Sequence, residues 1–196
     1  MTRFSVKCLE KKTWPDFAQL VEAHNGVWGG CWCMGFHAKG EGWGKSAELN
    51  RKEKECLVRE ARAHAALVFD GAKCVGWCQF GSPEELPRIK NRRAYLATDP
   101  ELPDWRITCF FSAKDYRGKG VASIALEGAL HEIAQLGGGT VEAYPEDTGD
   151  RKVSGSFLFN GALSMFEKHG FEPVRQIGKN RWVVMRIVSG FGGSTE

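Results

Sequence analysis

The spacing of apolar positions changes several times along the chain, and each change marks a new element. Phe4 to Leu9 alternates and predicts a first strand. Thr13, Pro15 and Asp16 make a helix start with a capping box, and Phe17, Leu20 and Val21 give that helix one apolar face before Asn25-Gly26 ends it. Residues 26 to 45 follow no period: Trp28, Trp32, Phe36 and Trp43 alternate with glycines. This predicts an irregular segment packed by its own aromatics and forming part of a substrate wall. Ser46 opens a polar helix through Leu49, Leu57, Val58 and Ala61. The apolar runs Ala65 to Phe69 and Cys74 to Phe80 flank Asp70-Gly71, a hairpin signal. Pro83 to Asp104 reads as loop with one short helix.

The second half is more regular. Arg106 to Ser112 predicts a strand, and a helix opens near Gly120. Its apolar line is Ala122, Leu126, Ala129, Leu130 and Ile133, and its polar line is Lys119, Ser123, Glu127, His131 and Gln135. Gly137-Gly138-Gly139 stops it, and Thr140 to Tyr144 predicts another strand. Phe159, Ala162, Leu163 and Phe166 mark a further helix ended by Gly170. Phe171 to Ile177 and Arg181 to Val188 form a closing hairpin, and residues 189 to 196 read as a frayed tail. The expected architecture is α/β: one domain over residues 1 to 188, with a mixed sheet flanked by helices.

Composition narrows the choice of function. A chain of 196 residues suits one domain, and a net charge of +3 without charge runs argues against a nucleic-acid binder. The most apolar helical stretch, Val121 to Leu136, contains Glu127, His131 and Glu132, so no membrane span is expected. No signal-peptide block follows Met1, and seven cysteines in a chain of this size read as reduced thiols, so the cytoplasm is expected.

The chemistry is concentrated between Ser112 and Ser123, S-A-K-D-Y-R-G-K-G-V-A-S. Gly118 and Gly120 let the backbone curl, and the first amides of the helix point outward without partners. Arg117 and Lys119 add positive charge, so the segment forms an anion cradle suited to phosphate. A dinucleotide fingerprint would need glycine at Ser123. Gly40 to Ser46, G-E-G-W-G-K-S, ends like a nucleoside-triphosphate loop but has Lys39 where the first glycine belongs. Cys31, Cys33 and His37 with Cys74 and Cys78 could supply four thiolates to zinc. Cys74 and Cys78, however, share one predicted strand and one face, as small core residues do, so no metal is expected. His131-Glu132 lacks a second histidine at Gln135, and no G-x-S-x-G elbow occurs.

Arg117 to Ala122, R-G-K-G-V-A, resembles the acetyl-coenzyme A signature of the GNAT superfamily of N-acetyltransferases, as does M-F-E-K-H-G-F ending at Phe171. The resemblance covers roughly residues 105 to 188; the N-terminal half agrees in element order. It implies a mostly antiparallel central sheet and transfer of acetyl from acetyl-coenzyme A to a primary amine of a small molecule or protein, by direct attack. It also implies pairing into homodimers. The diphosphate would sit on the amides of Arg117, Gly118, Lys119, Gly120, Val121 and Ala122, with Ser123 next in the helix. The pantetheine arm would lie along Phe110, Phe111 and Ser112, whose amides would also polarise the thioester.

Two positions depart from the family. Phe166 stands where many relatives carry a proton-donating tyrosine; its ring packs in the core and brushes the cofactor. Tyr144, Tyr116, water or an unassisted thiolate remain as alternatives. Asn160 lies one step from the place of a frequent cofactor-binding asparagine, which is Phe159 here. Glu142 and Tyr144 are the candidates for proton handling, with a solvated strand carboxylate as the plainer reading of Glu142. The competing function is a non-catalytic sensor of acyl-coenzyme A.

Overall fold

The computed structural model describes residues 4–38, 46–149, 151, 153–155 and 158–191. Trp43 and most of the G-E-G-W-G-K-S segment lie outside them. The elements run β1 (Ser5–Cys8), α1 (Trp14–Glu22), α2 (Ala47–Arg59), β2 (His64–Asp70), β3 (Lys73–Gly81), α3 (Arg92–Leu96) and β4 (Trp105–Ser112). After these come α4 (Val121–Gln135), β5 (Gly138–Ala143), α5 (Leu163–Lys168), β6 (Glu172–Gly178) and β7 (Arg181–Ser189). They build one seven-stranded sheet of order β1-β2-β3-β4-β5-β7-β6, antiparallel except where β4 meets β5.

Each face of the sheet buries one layer. Helix α1 and the turns after it cover one face with Phe17, Val21, Trp32 and Met34 against Leu67, Trp77 and Phe111. Helix α4 covers the other with Ala125, Leu126, Ala129 and Ile133 against Ala66, Val68, Val75 and Cys78. Two glycines set how closely α4 lies. A Cβ on Gly128 would come within 2.5 Å of Val6, and one on Gly76 within 2.5 Å of Val121 and 2.6 Å of the Phe111 carbonyl. Gly76 therefore fixes where the first turn of α4 rests on β3.

Several local expectations are corrected. Thr13 does not cap α1: its hydroxyl donates to the Cys8 carbonyl and accepts from the Glu10 amide, closing the β1–α1 turn. Ser46 does cap α2, accepting from the Leu49 amide at 3.1 Å. The helix expected from Phe159 begins only at Leu163, because Gly161 turns left-handed (φ 82) and Phe159 and Asn160 bond to β4 instead. Cys74 and Cys78 face opposite layers of the sheet. The pairing slips by one residue between Val68 and Phe69, and a β-bulge of this kind inverts side-chain alternation. Ser189 closes β7, and the Phe191 amide donates to the Ala134 carbonyl, so the start of the expected tail is docked.

Strands β4 and β5 pair only at Trp105–Val141, Arg106–Glu142 and Ile107–Ala143, then part. The turn before α5 fills the mouth of the gap. Phe110 donates its amide to the Phe159 carbonyl at 2.7 Å, and Asn160 donates its side-chain amide to the Thr108 carbonyl. Arg181 completes the brace by donating to Asn160 Oδ1, the Tyr144 carbonyl and Glu146.

Replacing Gly76 by alanine would favour a strand by intrinsic preference, yet the new Cβ presses on Val121 of α4 and on the Phe111 backbone oxygen of β4, which cannot yield. We expect Gly76→Ala to lose about 1–3 kcal/mol of stability, as overpacked sites do, measured by the urea midpoint. A midpoint at or above that of the parent would contradict this packing.

Candidate active site

Two cavities flank the parted strands. The first, of about 510 Å³, lies over the mouth of α4 and is lined by Phe110, Phe111, Ser112, Tyr116, Arg117, Gly118, Gly120, Val121, Ala122, Ser123 and Met165, among others. Gly120 caps α4 in a left-handed conformation (φ 80) with no side-chain cap. The amide of Ile124 is the first to bond back, to Gly120. Among the described residues, the amides of Gly118, Gly120, Val121, Ala122 and Ser123 have no hydrogen-bond acceptor. A Cβ on Gly118 or Gly120 would meet no atom within 4 Å, so the concavity stays open to a ligand. Unpaired amides at a helix start, beside Arg117, match the requirement for binding a diphosphate. Lys119 lies over the Tyr116 ring, 5.1 Å from its centroid, and is not among the lining residues.

Along β4 the three expected backbone positions are not equivalent. The Phe110 amide is taken by Phe159. Strand alternation sends the Phe111 amide toward β3 and turns the Ser112 amide the same way as that of Phe110, toward the opening. Among the described residues, Ser112 therefore offers the free donor of the three.

The second cavity, of about 420 Å³, shares Trp28 with the first. Its walls are Trp28, Phe36, Phe159 and Ile89, with Cys31, Cys33, Gly35, Cys109, Arg88 and Lys90. The aromatic segment expected to wall a substrate site thus supplies Trp28 and Phe36, whereas Trp32 stacks on Trp14 in the core. Trp28 meets Phe111 and Phe159 edge-on at 5.9 and 5.8 Å. Val27, Trp28, Trp32 and Cys33 all have positive φ, between 44 and 58, a cluster of strained backbone held by this packing.

Beneath the second cavity lies Lys54, 1% exposed. Its ammonium donates to Gln79 Oε1 at 2.6 Å and to His37 Nε2 at 3.0 Å. Burial lowers the Lys54 pKa, with neighbouring thiols opposing the shift. Burial also opposes ionisation of Cys33, but the thiol of Cys109, the Lys54 charge and the Trp77 indole outweigh it and hold Cys33 below the ordinary thiol range. Cys109 is pushed well above that range by burial and by Cys33. The remaining pair of the zinc hypothesis is out of reach, since Cys74 and Cys78 point to opposite faces. Among the described residues no group of three or more His, Cys, Asp or Glu side chains is placed to hold a metal.

Lys54, Cys109, Arg88 and Lys90 were not singled out by sequence. Lys54 carried one signal: it shares the helical line of Asn50 and Val58, all three buried.

Glu142 and Tyr144 line neither cavity. Glu142 is 2% exposed, not solvated, and its Oε2 accepts from Tyr95 at 2.9 Å and Tyr144 at 2.7 Å. Burial and this carboxylate push the Tyr144 phenol well above its ordinary pKa. This buried knot holds α3 against the sheet, and the expectation that either residue handles a proton is at odds with it. Asn160 is committed to the brace, and Phe166 is fully buried between Phe110 and Phe171. Ser123 lies 3.1 Å from His169 and so ties α4 to α5.

The model of the acetyltransferase (GNAT) family matches residues 31–171, well over half of the chain. The chain belongs to the GNAT acetyltransferase family. It is an acetyl-transferring enzyme, and membership favours catalysis over the sensor alternative. Solved GNAT structures share the fold. A mosquito arylalkylamine N-acetyltransferase-like protein is 11% identical, covering 94% of this chain and 100% of that one at a TM-score of 0.55. A Staphylococcus aureus N-acetyltransferase is 13% identical, covering 95% and 98% at 0.52. A ribosomal-protein α-N-acetyltransferase is 12% identical, covering 96% and 95% at 0.51. A sequence comparison with curated proteins found no match. No helix among the described residues is long and apolar enough to cross a membrane.

His37 accepts from Lys54, so its ring is neutral when folded. Burial and the Lys54 charge push its pKa from 6.5 down to about 2. The unfolded chain binds this proton below pH 6.5 and the native one does not, so stability falls as pH drops from 6.5 toward about 2. One such group costs up to about 1.4 kcal/mol per pH unit. We expect His37→Gln, which still accepts from Lys54, to flatten the acid slope by about that amount, read from urea midpoints between pH 7 and 4.5. Identical slopes would show that His37 titrates normally.

Proposed function

We propose that this GNAT enzyme moves acetyl from acetyl-coenzyme A to a primary amine, with the coenzyme in the cavity at the mouth of α4 and the amine in the neighbouring cavity that shares Trp28 with it. The observation that carries this reading is the set of five unpartnered amides from Gly118 to Ser123 opening into one cavity, with a second cavity immediately beyond a shared aromatic partition. Arg117 and the amides of Gly118 to Ser123 hold the diphosphate. Phe110 and Phe111 wall the pantetheine arm, and the Ser112 amide donates to it or to the thioester oxygen. The amine nitrogen attacks the thioester carbon, the carbon–nitrogen bond forms and the carbon–sulfur bond breaks. The amine proton passes to the departing sulfur or to water.

Among the described residues, neither cavity is lined by a carboxylate or a histidine. Catalysis then rests on positioning and electrostatics, which can supply a large share of the barrier reduction. Tyr116 is the phenol nearest the arm; it donates to Asp70 at 2.9 Å, and this bond raises its pKa.

A glutamate in the first turn of a helix is favourable to the helix and hostile to a bound phosphate. Ala122→Glu should therefore keep or raise the melting temperature while weakening coenzyme A binding at least about 100-fold in calorimetry, given charge repulsion at contact distance. Undiminished affinity would move the coenzyme elsewhere. Transfer itself is tested by mass-spectrometric detection of coenzyme A released from acetyl-coenzyme A in the presence of a panel of amines.

A further inference from the structure

The thiols Cys31, Cys33 and Cys109 all line the second cavity, and the transfer reaction uses none of them. Cys33 comes from the turns after α1 and Cys109 from β4, and a side-chain hydrogen bond joins the two. The Cys33 sulfur also accepts from the Trp77 indole at 3.3 Å. Two donors thus converge on one sulfur, and donors stabilise its ionised form. The buried Lys54 ammonium adds attraction for the same charge. Cys33 has left-handed backbone (φ 58), so packing holds its thiol in place against backbone preference.

From this cluster we infer that Cys33 is a site of oxidative modification, reached by a small hydroperoxide through the second cavity, with Cys109 as the thiol that closes a disulfide on it. The cavity, of about 420 Å³, has ample room for such a molecule. The Cys33 thiolate attacks one peroxide oxygen; a sulfur–oxygen bond forms, the oxygen–oxygen bond breaks, and hydroxide or alkoxide leaves and is protonated by water. The Cys109 thiol then attacks the sulfenic sulfur. A sulfur–sulfur bond forms, the sulfur–oxygen bond breaks, and the departing hydroxide takes the Cys109 proton as water. The two sulfurs lose two electrons and the hydroperoxide gains them.

The charges around the pair favour this order of events. Burial and then Cys33 hold the Cys109 pKa up, while Lys54 lowers it. Conversion of Cys33 to a neutral sulfenic acid removes the second cause and leaves the attraction of Lys54, so Cys109 becomes nucleophilic only after Cys33 has reacted. The other cysteines give the contrast. Cys8 and Cys56 are exposed, yet burial and Glu132 push Cys8 up to about 12, and a hydrogen bond to Glu60 raises Cys56. Burial raises Cys31, Cys74 and Cys78. Cys33 alone of the seven is held below the ordinary thiol range.

The test treats the full reduced chain, without coenzyme or amine, with an equimolar dose of hydrogen peroxide. The protein is then denatured in N-ethylmaleimide and every cysteine is mapped by mass spectrometry, with fragmentation to separate Cys31 from Cys33. We expect a Cys33–Cys109 disulfide as the first product. It should form at least about tenfold faster than any change at Cys8 or Cys56, because one unit of pKa is a tenfold change in thiolate fraction. Cys109→Ala keeps a small apolar side chain on β4, and in that variant dimedone should tag Cys33 instead. A first product at any other cysteine, or a Cys33 that stays reduced, overturns the inference. So does a Cys109→Ala protein that is folded by circular dichroism and takes no dimedone at Cys33; if that variant does not fold, the map of the parent decides alone. Neither coenzyme nor amine takes part, so failure here leaves the transferase reading standing.

Discussion

The arrangement of this enzyme depends on the parting of β4 from β5. Two parallel strands that bond over only three residues leave backbone groups on β4 that must find partners or face solvent. The turn at Phe159 and Asn160 satisfies two of them, at Phe110 and Thr108, and Arg181 locks the turn in place. Among the described residues, the Ser112 amide and five amides at the mouth of α4 stay without an acceptor. The Phe159 ring, carried on the same turn, lines the second cavity, and Trp28 borders both cavities.

The chemistry of the two cavities follows from how charge is distributed. Helix α4 presents unpartnered N–H groups with Arg117 beside them, which suits an anion held at the surface. The second cavity is richer in aromatics and has Arg88 and Lys90 on its wall. Its buried lysine is tolerated because Gln79 and a neutral His37 both accept from it, and because a thiol of lowered pKa lies nearby. Without these acceptors the ammonium would be expelled or neutralised, and the floor of the cavity would change shape. The Glu142 knot serves the scaffold instead. Two tyrosines and one carboxylate secure α3 at the edge where β5 and β7 meet.

Elements built from local signals were legible before any coordinates. The spacing of α4, its glycine-rich mouth, the hairpin around Asp70-Gly71 and the closing hairpin all follow from neighbours in sequence. So does the cap at Ser46. The cradle residues from Phe110 to Ser123 gather at one cavity apart from Lys119, because a strand, a turn and a helix start adjacent in sequence remain adjacent in space. The resemblance to the family that the sequence shows rests on this same stretch together with the segment that ends at Phe171.

Tertiary structure decided what depends on contacts between distant segments. A one-residue bulge in β3 separated Cys74 from Cys78, and no periodicity count shows a bulge before its partner strand is known. Glu142 proved buried because α3, nearly fifty residues earlier, supplies the hydroxyl of Tyr95. Cys33, Lys54, Arg88, Lys90 and Cys109 come from four separate segments and meet only when both layers close on the sheet. Short-range spacing thus specified the strands, the helices and the anion cradle. The second cavity, with Arg88 and Lys90 on its wall, arises from non-local packing, where register and burial set each side chain's surroundings.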